Sequence, residues 1–363
     1  MATSFEEDPR IVMTLDAGGT SLRFSAVHGN KLIAPFSLRT AATDLDGCLR
    51  EIVHGFQEVK KSLPALPVAI SFSFPGPADY PRGIIGDLGN LPAFRGGVAL
   101  GPMLEDKFGI PVHINSDGGL FVYGEAIAGF LPYVNDMLQQ SGSPKRYSNL
   151  FGLTLGTGLG GGISRNGEMF IGDNSIAAQA WLSRNKIQPG LDAEEGASIR
   201  AVQRAYLECS GCPTCQAPEP ETIFDIGMGL APGNRAAAVE SFRRLGEVVG
   251  DVMAQALTLV DGLGVVGGGI SAAHPLFLPS LFDSVNGLFD SGQHRMCVHA
   301  FNLEDPRQRE LFLKGEMREI RVPGSTRLIQ YDPQPRTAIG ISRLGTTQAV
   351  AIGAYAFALQ RLS

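Results

Sequence analysis

The chain reads as a two-domain α/β protein, and three observations predict this. Its 363 residues exceed what one small core accommodates. Strand-like and helix-like stretches alternate along it, which means mixed sheets flanked by helices. One plan of strand, glycine turn and strand occurs at residues 11–27 and again at 150–163, the mark of a duplicated unit.

Composition narrows the class. A hydrophobic content of 44% with 18% charged residues describes a globular chain with ample apolar surface to bury. A net charge of −6 argues against a nucleic-acid surface as the main business. No apolar run reaches membrane-spanning length, and Glu6, Glu7 and Asp8 ahead of a short strand are unlike a signal peptide. Five cysteines are too few for a disulfide framework, so a cytoplasmic, reducing location is expected.

The elements follow in order. Ile11 to Val27 is an apolar strand, a glycine hairpin and a second strand. Leu45, Leu49, Ile52, Val53, Phe56 and Val59 recur at helical spacing and predict a helix over 44–61, ended by Pro64 and Pro67. Residues 68–74 alternate like a strand. A helix over 98–108 leads to a strand over 111–115, and a further helix over 119–130 ends near Pro132. The polar stretch 139–146 is a surface loop. The grammar then restarts at Leu150. A long helix over 236–260, a strand at 264–266 and an alanine-rich helix over 347–362 complete the plan. Residues 303–345 look like an insertion, with 320–324 and 327–331 as two strands of a hairpin that covers a cleft, supports self-association or is simply a solvated excursion.

The turns carry the chemistry. In the first, Asp16 ends a strand and Gly18, Gly19, Thr20 and Ser21 follow. The two glycines let the backbone approach a bulky anion. The hydroxyls can donate to phosphate oxygens, and Asp16 can face a phosphate-bound Mg²⁺, directly or through water. An ordinary tight turn is the plain alternative. The second turn contains Thr154, Gly156, Thr157, Gly158 and Gly160, and the third Gly267, Gly268 and Gly269. Backbone N–H groups in such turns form anion cradles.

Three glycine turns in this order resemble the actin/hexokinase/Hsp70 ATPase superfamily. Within it the chain resembles the ROK family (repressors, open reading frames and sugar kinases), with LTLGTGLGGGI at 153–163 as a close match to the family's second phosphate loop. The resemblance implies a two-domain actin-like (ribonuclease H-like) ATPase fold. It also implies Mg·ATP clamped by the first two turns, with the third beside the adenosine. Domains are expected at 1–126 and 127–345, with the helix of 346–363 packing back on the first.

The family's Asn-Asp, followed eight residues after the Asp by Glu, is met by Asn115, Ser116, Asp117 and Glu125. Asp117 then stands in the position of the catalytic base, with Ser116 where Asn is usual. A carboxylate there can accept the proton of a sugar hydroxyl. The alternative is that Asp117 caps the following helix. Asn90 in Asn-Leu-Pro-Ala-Phe, and Glu194 in Glu-x-x-x-Ser to Ser198, match sugar-binding elements, with Glu195 an alternative to Glu194.

Two departures stand out. Where the family has Ala-Gly-Glu-x-Gly-His, this chain has Ala177-Ala178-Gln179-Ala180-Trp181-Leu182. Gln179 can still bond a hydroxyl, but Leu182 cannot ligate the family's zinc. Cys209, Cys212 and Cys215 have a spacing that could reach one ion, yet no nearby His completes a set, and ordinary thiols are the plainer reading. The six histidines are scattered, and Trp181 reads as a pocket wall or core residue.

The function expected is ATP-dependent phosphorylation of a hexose or N-acetylhexosamine, at the 6-hydroxyl, by a homodimer with ATP and Mg²⁺ and neither nucleic acid nor membrane as partner. A sugar-responsive regulator of the same family is disfavoured because only ten residues precede the first strand. A non-catalytic sugar or nucleotide sensor is the other alternative.

Overall fold

The computed structural model describes residues 7–17, 21–39, 44–88, 94–212 and 216–362. They fall into two compact units. One comprises Met1–Ile127, Glu168–Ala177 and Thr347–Ser363; the other comprises Ala128–Gly167 and Ala178–Thr346.

In the first unit, β1 (Ile11–Ala17) is a buried apolar run that pairs antiparallel with β2 (Ser21–His28), Asp16 opposite Arg23. β2 pairs antiparallel with β3 (Lys31–Arg39). Pro35 in β3 argues against a central strand, and β3 is indeed an edge, where a missing N–H costs nothing. The helix α1 (Leu45–Lys61) starts at Asp44, whose carboxylate accepts from the Gly47 N–H at 2.8 Å. It buries Ile52, Phe56 and Val59.

β4 (Ala69–Ser73) returns parallel to β1, and a short hairpin of β5 (Ala78–Asp79) and β6 (Ile84–Ile85) follows. After α2 (Leu100–Phe108), β7 (Val112–Asn115) runs parallel to β4 and leads straight into α3 (Asp117–Ile127). The sheet order is β3-β2-β1-β4-β7. Met13, Leu15, Ile70, Phe72 and Ile114 meet α1 and α2 in one core.

The second unit opens with α4 (Phe130–Gln140), where the sequence pattern places a helix end near Pro132 and no further element before the loop of 139–146. Pro132 lies in the first turn of α4. Its absent N–H would have no intrahelical partner there, so the proline starts a helix instead of stopping one. β8 (Asn149–Leu155) and β9 (Leu159–Arg165) form the second glycine hairpin, and β10 (Glu168–Met169) follows as part of the first unit. Next come α5 (Ile199–Cys209), α6 (Pro220–Met228) and the long α7 (Arg235–Val260), capped by Asn234 on the Ala237 N–H at 3.1 Å.

β11 (Leu263–Gly267) runs parallel to β8 and is followed by α8 (His274–Val285), β12 (His299–Asn302) and α9 (Pro306–Lys314). β13 (Arg318–Arg321) and β14 (Leu328–Tyr331) make an exposed antiparallel hairpin. β15 (Arg336–Ile341) corrects the reading of 303–345 as one excursion. This strand is buried between β11 and β12, parallel to both. The strands that the second unit contributes to its sheet therefore run β9-β8-β11-β15-β12, one antiparallel hairpin continued by parallel strands, as in the first unit.

The last helix, α10 (Thr346–Arg361), belongs from residue 347 onward to the first unit. It crosses α3 at glycines on both sides. A Cβ at Gly124 would overlap the Ala349 carbonyl, and one at Gly353 would overlap that of Leu120. Two helices approach this closely only where side chains are absent.

Candidate active site

Asp117 is the first residue of α3, and the way that helix begins decides what its carboxylate can do. Ser116 caps the helix: its Oγ accepts from the Gly119 N–H at 3.2 Å, and its carbonyl accepts from the Leu120 N–H at 3.0 Å. Asp117 is therefore not the cap, and its carboxylate has no hydrogen-bond donor among the described residues.

The Asp117 carboxylate touches solvent, yet its near surroundings are dense protein. Desolvation by these surroundings, with the negative charge of Asp16 added, raises its pKa to about 6. Exposed area and a desolvated environment coexist when only the tip of a side chain meets water. Asp16 sits at the end of β1, half-exposed, with Arg23 3.9 Å away. Tyr80 is a neighbour that the sequence did not disclose. Its hydroxyl donates to the Phe74 carbonyl at 2.9 Å, and burial and Asp117 together push its pKa up.

Gly18, Gly19, Thr20 and Asn90 lie outside the described residues, and Ser21 opens β2 opposite Arg39. Thr154 is buried on β8 with Gly160 of β9 on one side and Gly267 of β11 on the other. The glycines of the two later turns then divide by cause. A Cβ at Gly158 would overlap the Glu194 carboxylate, and one at Gly268, where φ is +90°, would overlap the Leu155 backbone. Packing accounts for Gly158, and packing together with backbone conformation for Gly268. Gly156 and Gly269 have nothing within 4 Å of a Cβ, and neither adopts a positive φ. Neither protein packing nor conformation requires glycine there, which fits close approach by a ligand such as a phosphate or nucleoside.

Two residues outside the turns hold them in place. The Gly268 N–H donates to Thr346 Oγ1 at 2.9 Å, tying the third turn to the start of α10. Arg200 donates to the Thr157 carbonyl at 3.4 Å and to Glu194 and Glu195 at 2.7 Å each. A threonine at a helix start is a sequence signal that could have marked Thr346; Arg200 had none.

Glu194 accepts from the Leu159 N–H at 3.0 Å through one oxygen and from Arg200 through the other, so both oxygens serve the second turn. Glu195 accepts from Arg200 and Arg204, and the two arginines hold its carboxyl below the usual range. Gln179 Oε1 accepts from Trp181 Nε1 at 2.8 Å. The segment lies against β9, since a Cβ at Gly161 would stand 2.6 Å from the Ala178 carbonyl. Trp181 and Leu182 are exposed, so Trp181 is not a core residue.

Among the described residues no group of three or more His, Cys, Asp or Glu side chains is placed to hold a metal ion. Cys209 is a free thiol, Cys212 is disulfide-bonded, and Cys215 lies outside the described residues. An open cleft lined by Asn185, Glu195, Arg204, Glu208 and Arg244 is elsewhere than the glycine turns, and its charges neutralise one another as Arg204–Glu195 and Arg244–Glu208 pairs.

A model described as the ROK family matches residues 12–181. The crystal structure of a glucokinase from Parabacteroides distasonis ATCC 8503 is 50% identical, with a TM-score of 0.92, over 99% of this chain and 99% of that one. The chain belongs to the ROK family. An N-acetyl-D-glucosamine kinase of Vibrio cholerae is 27% identical over 271 residues, 70% of this chain and 83% of that protein. A ROK family glucokinase from Streptomyces griseus, solved with glucose and AMPPNP, is 20% identical with a TM-score of 0.62 over 97% of this chain and supports the fold alone. This protein is thus a ROK-family sugar kinase that uses ATP, with the actin-like ATPase fold in which each unit carries one glycine hairpin. No helix among its described residues is long and apolar enough to cross a membrane.

Proposed function

We propose that this ROK kinase transfers the γ-phosphoryl group of ATP to the 6-hydroxyl of glucose, with Asp117 as general base. The observation that carries the reading is the state of Asp117, which does not cap its helix, has no donor among the described residues and is raised to about 6. A base must be ionised to accept a proton and basic enough to want it, and a pKa near 6 meets both demands at neutral pH. The hydroxyl proton passes to the Asp117 carboxylate as the oxygen attacks the γ-phosphorus and the bond to the β-phosphate oxygen breaks, leaving ADP.

Glucose is preferred over N-acetylhexosamines because the glucokinase is 50% identical over almost the whole chain, against 27% for the N-acetyl-D-glucosamine kinase. Ser116, Gln179 and, outside the described residues, Asn90 are assigned to the sugar. The open positions Gly156 and Gly269, with the flanking Thr157 and Gly267, are assigned to ATP. Mg²⁺ prefers hard oxygen ligands, and the half-exposed Asp16 carboxylate, with an Arg23 nitrogen 3.9 Å away as its ion-pair partner among the described residues, fits that preference. When bound, Mg²⁺ neutralises phosphate charge.

The test is ADP release by purified protein with Mg·ATP over a panel of hexoses and N-acetylhexosamines. Glucose should give the highest kcat/KM, and Asp117→Asn should lower kcat about 100-fold or more with sugar affinity nearly kept. Faster turnover of an N-acetylhexosamine would overturn the substrate, and wild-type rate in Asp117→Asn would overturn the base.

A further inference from the structure

Parallel register sets Ser71 of β4 beside His113 of β7, and Ser73 beside Asn115. On the other side of β4, Val12 of β1 pairs with Ala69, and the ladder carried two residues further sets Thr14 level with Ser71 and Asp16 level with Ser73. Side chains alternate along a strand, so all of these share one face of the sheet. That face is turned to α10: Val12 and Ala69 pack with Ala351, Tyr355, Ala358 and Leu359, and the His113 ring meets Phe357 edge-on at 5.7 Å.

A sheet face covered by a helix is expected to be apolar, as Val12 and Ala69 are. Toward the strand ends it becomes polar and stays buried, with Ser71 at 0% exposure and Asn115 at 1%. Among the described residues Ser71 Oγ, His113 Nε2 and Asn115 Nδ2 have no hydrogen-bond partner. A buried polar group left unpaired forfeits its bonds to water with nothing in exchange. Three on two adjacent strands would consume a large share of the narrow margin by which a fold is stable. The stripe also has a direction: it ends at Asn115, followed directly by the cap Ser116 and by Asp117, and level with Asp16 on β1.

We propose that this stripe is an internal water-binding site. One or more water molecules bridge Ser71, His113 and Asn115, and these three act as positioning residues for Asp117. The chemistry suits water. The Asn115 amide nitrogen only donates, the Ser71 hydroxyl does both, and an imidazole nitrogen takes either role according to tautomer. A buried water makes about three such bonds. The site needs a neutral imidazole, and burial and Arg361 of α10 depress the His113 pKa against the opposing charge of Glu105 on α2. A donor line ending under α3 favours the charged form of Asp117, in opposition to its desolvation and to Asp16. Tyr80 is the other titratable neighbour of Asp117. The positioning role rests on the reading of Asp117 as base.

Two measurements test it. A crystal structure at a resolution that shows water should place ordered water within hydrogen-bond distance of at least two of the three orphan atoms; a dry stripe, or the three side chains bonded to one another, overturns the site. Asn115→Leu keeps volume while removing the donor. It should lower kcat about tenfold with the sugar KM unchanged and move the acid limb of the rate profile to higher pH, with Ser71→Ala showing a smaller change in the same sense. A change in melting temperature with kcat and the acid limb unmoved would show a merely structural stripe and overturn the positioning role. Asp117→Asn in the same series separates the two readings. If it retains turnover, the base assignment has failed, and the water site stands or falls on the crystal structure.

Discussion

Ser116 Oγ accepts the Gly119 N–H at 3.2 Å, and this bond leaves the adjacent Asp117 carboxylate uncommitted. Without it, the nearest side chain able to satisfy the open N–H groups of α3 would be Asp117 itself, which would then be tied to its own backbone. Gly119 is part of the arrangement, since a Cβ there would stand 2.7 Å from Ser116 Oγ and 3.2 Å from Met169 Sδ. Ser116→Ala is expected to lower stability by about 1 kcal/mol in urea titration and to lower kcat as Asp117 turns to the vacant cap. Ser116→Thr should restore both. Unchanged stability in the alanine variant would show that the cap carries no weight.

The raised pKa of Asp117 sets two pH dependences. Activity requires the carboxylate, so kcat should fall as pH drops through about 6. Stability moves the other way. Between the ordinary carboxylate value of 3.8 and about 6 the folded protein binds more protons at this position than the unfolded chain does. The contribution of Asp117 is thus fully present below 3.8 and is lost as pH rises through about 6. Asp117→Asn, which carries no charge beside Asp16, should melt at a higher temperature than wild type at pH 8. The difference should close by pH 4. A variant no more stable than wild type at pH 8 would contradict the repulsion.

The two kinds of glycine in the nucleotide turns should separate on substitution. Gly156→Ala adds a methyl group into space without protein atoms within 4 Å, so stability should be unchanged to within about 0.5 kcal/mol while the KM for ATP rises. Gly268→Ala forces alanine to a φ of +90° and into the Leu155 backbone, and should destabilise the fold by about 2 kcal/mol or more before ATP is considered. Thermal melts without nucleotide, beside ATP titrations, distinguish the outcomes. A Gly156→Ala protein with normal KM for ATP would remove that turn from the phosphate site.

What the sequence disclosed follows the range of the interaction. Asp117 was legible as a candidate because its spacing to Glu125 is local, and the β1–β2 and β8–β9 pairs were legible because turn chemistry is local. Pro132 misled because proline opens a helix as readily as it ends one, and only the unpredicted α4 decides between the two. β15 was hidden inside a charged segment. Its burial comes from β11 and β12, more than thirty residues away in sequence. Glu194 showed the right spacing to Ser198 but not its partners, Leu159 and Arg200. The polar stripe of Ser71, His113 and Asn115 needed the register of two strands before it could be seen at all.

The crossing of α3 and α10 is where the first unit has least tolerance. Gly124 and Gly353 each face a backbone carbonyl of the other helix, and a carbonyl cannot turn aside as a flexible side chain can. Tyr123 Oη adds a bond to Gln360 Oε1 at 2.9 Å along the same contact. Gly124→Ala should therefore push the helices apart, at a cost of about 3 kcal/mol or more, although alanine is the better helix former by about 1 kcal/mol. Because α3 begins at Asp117, the same displacement should lower kcat even in the molecules that remain folded. Gly353→Ala should reproduce both effects from the other side. Denaturant titration with single-turnover kinetics checks this, and an alanine variant with wild-type stability would show that the helices have room to separate.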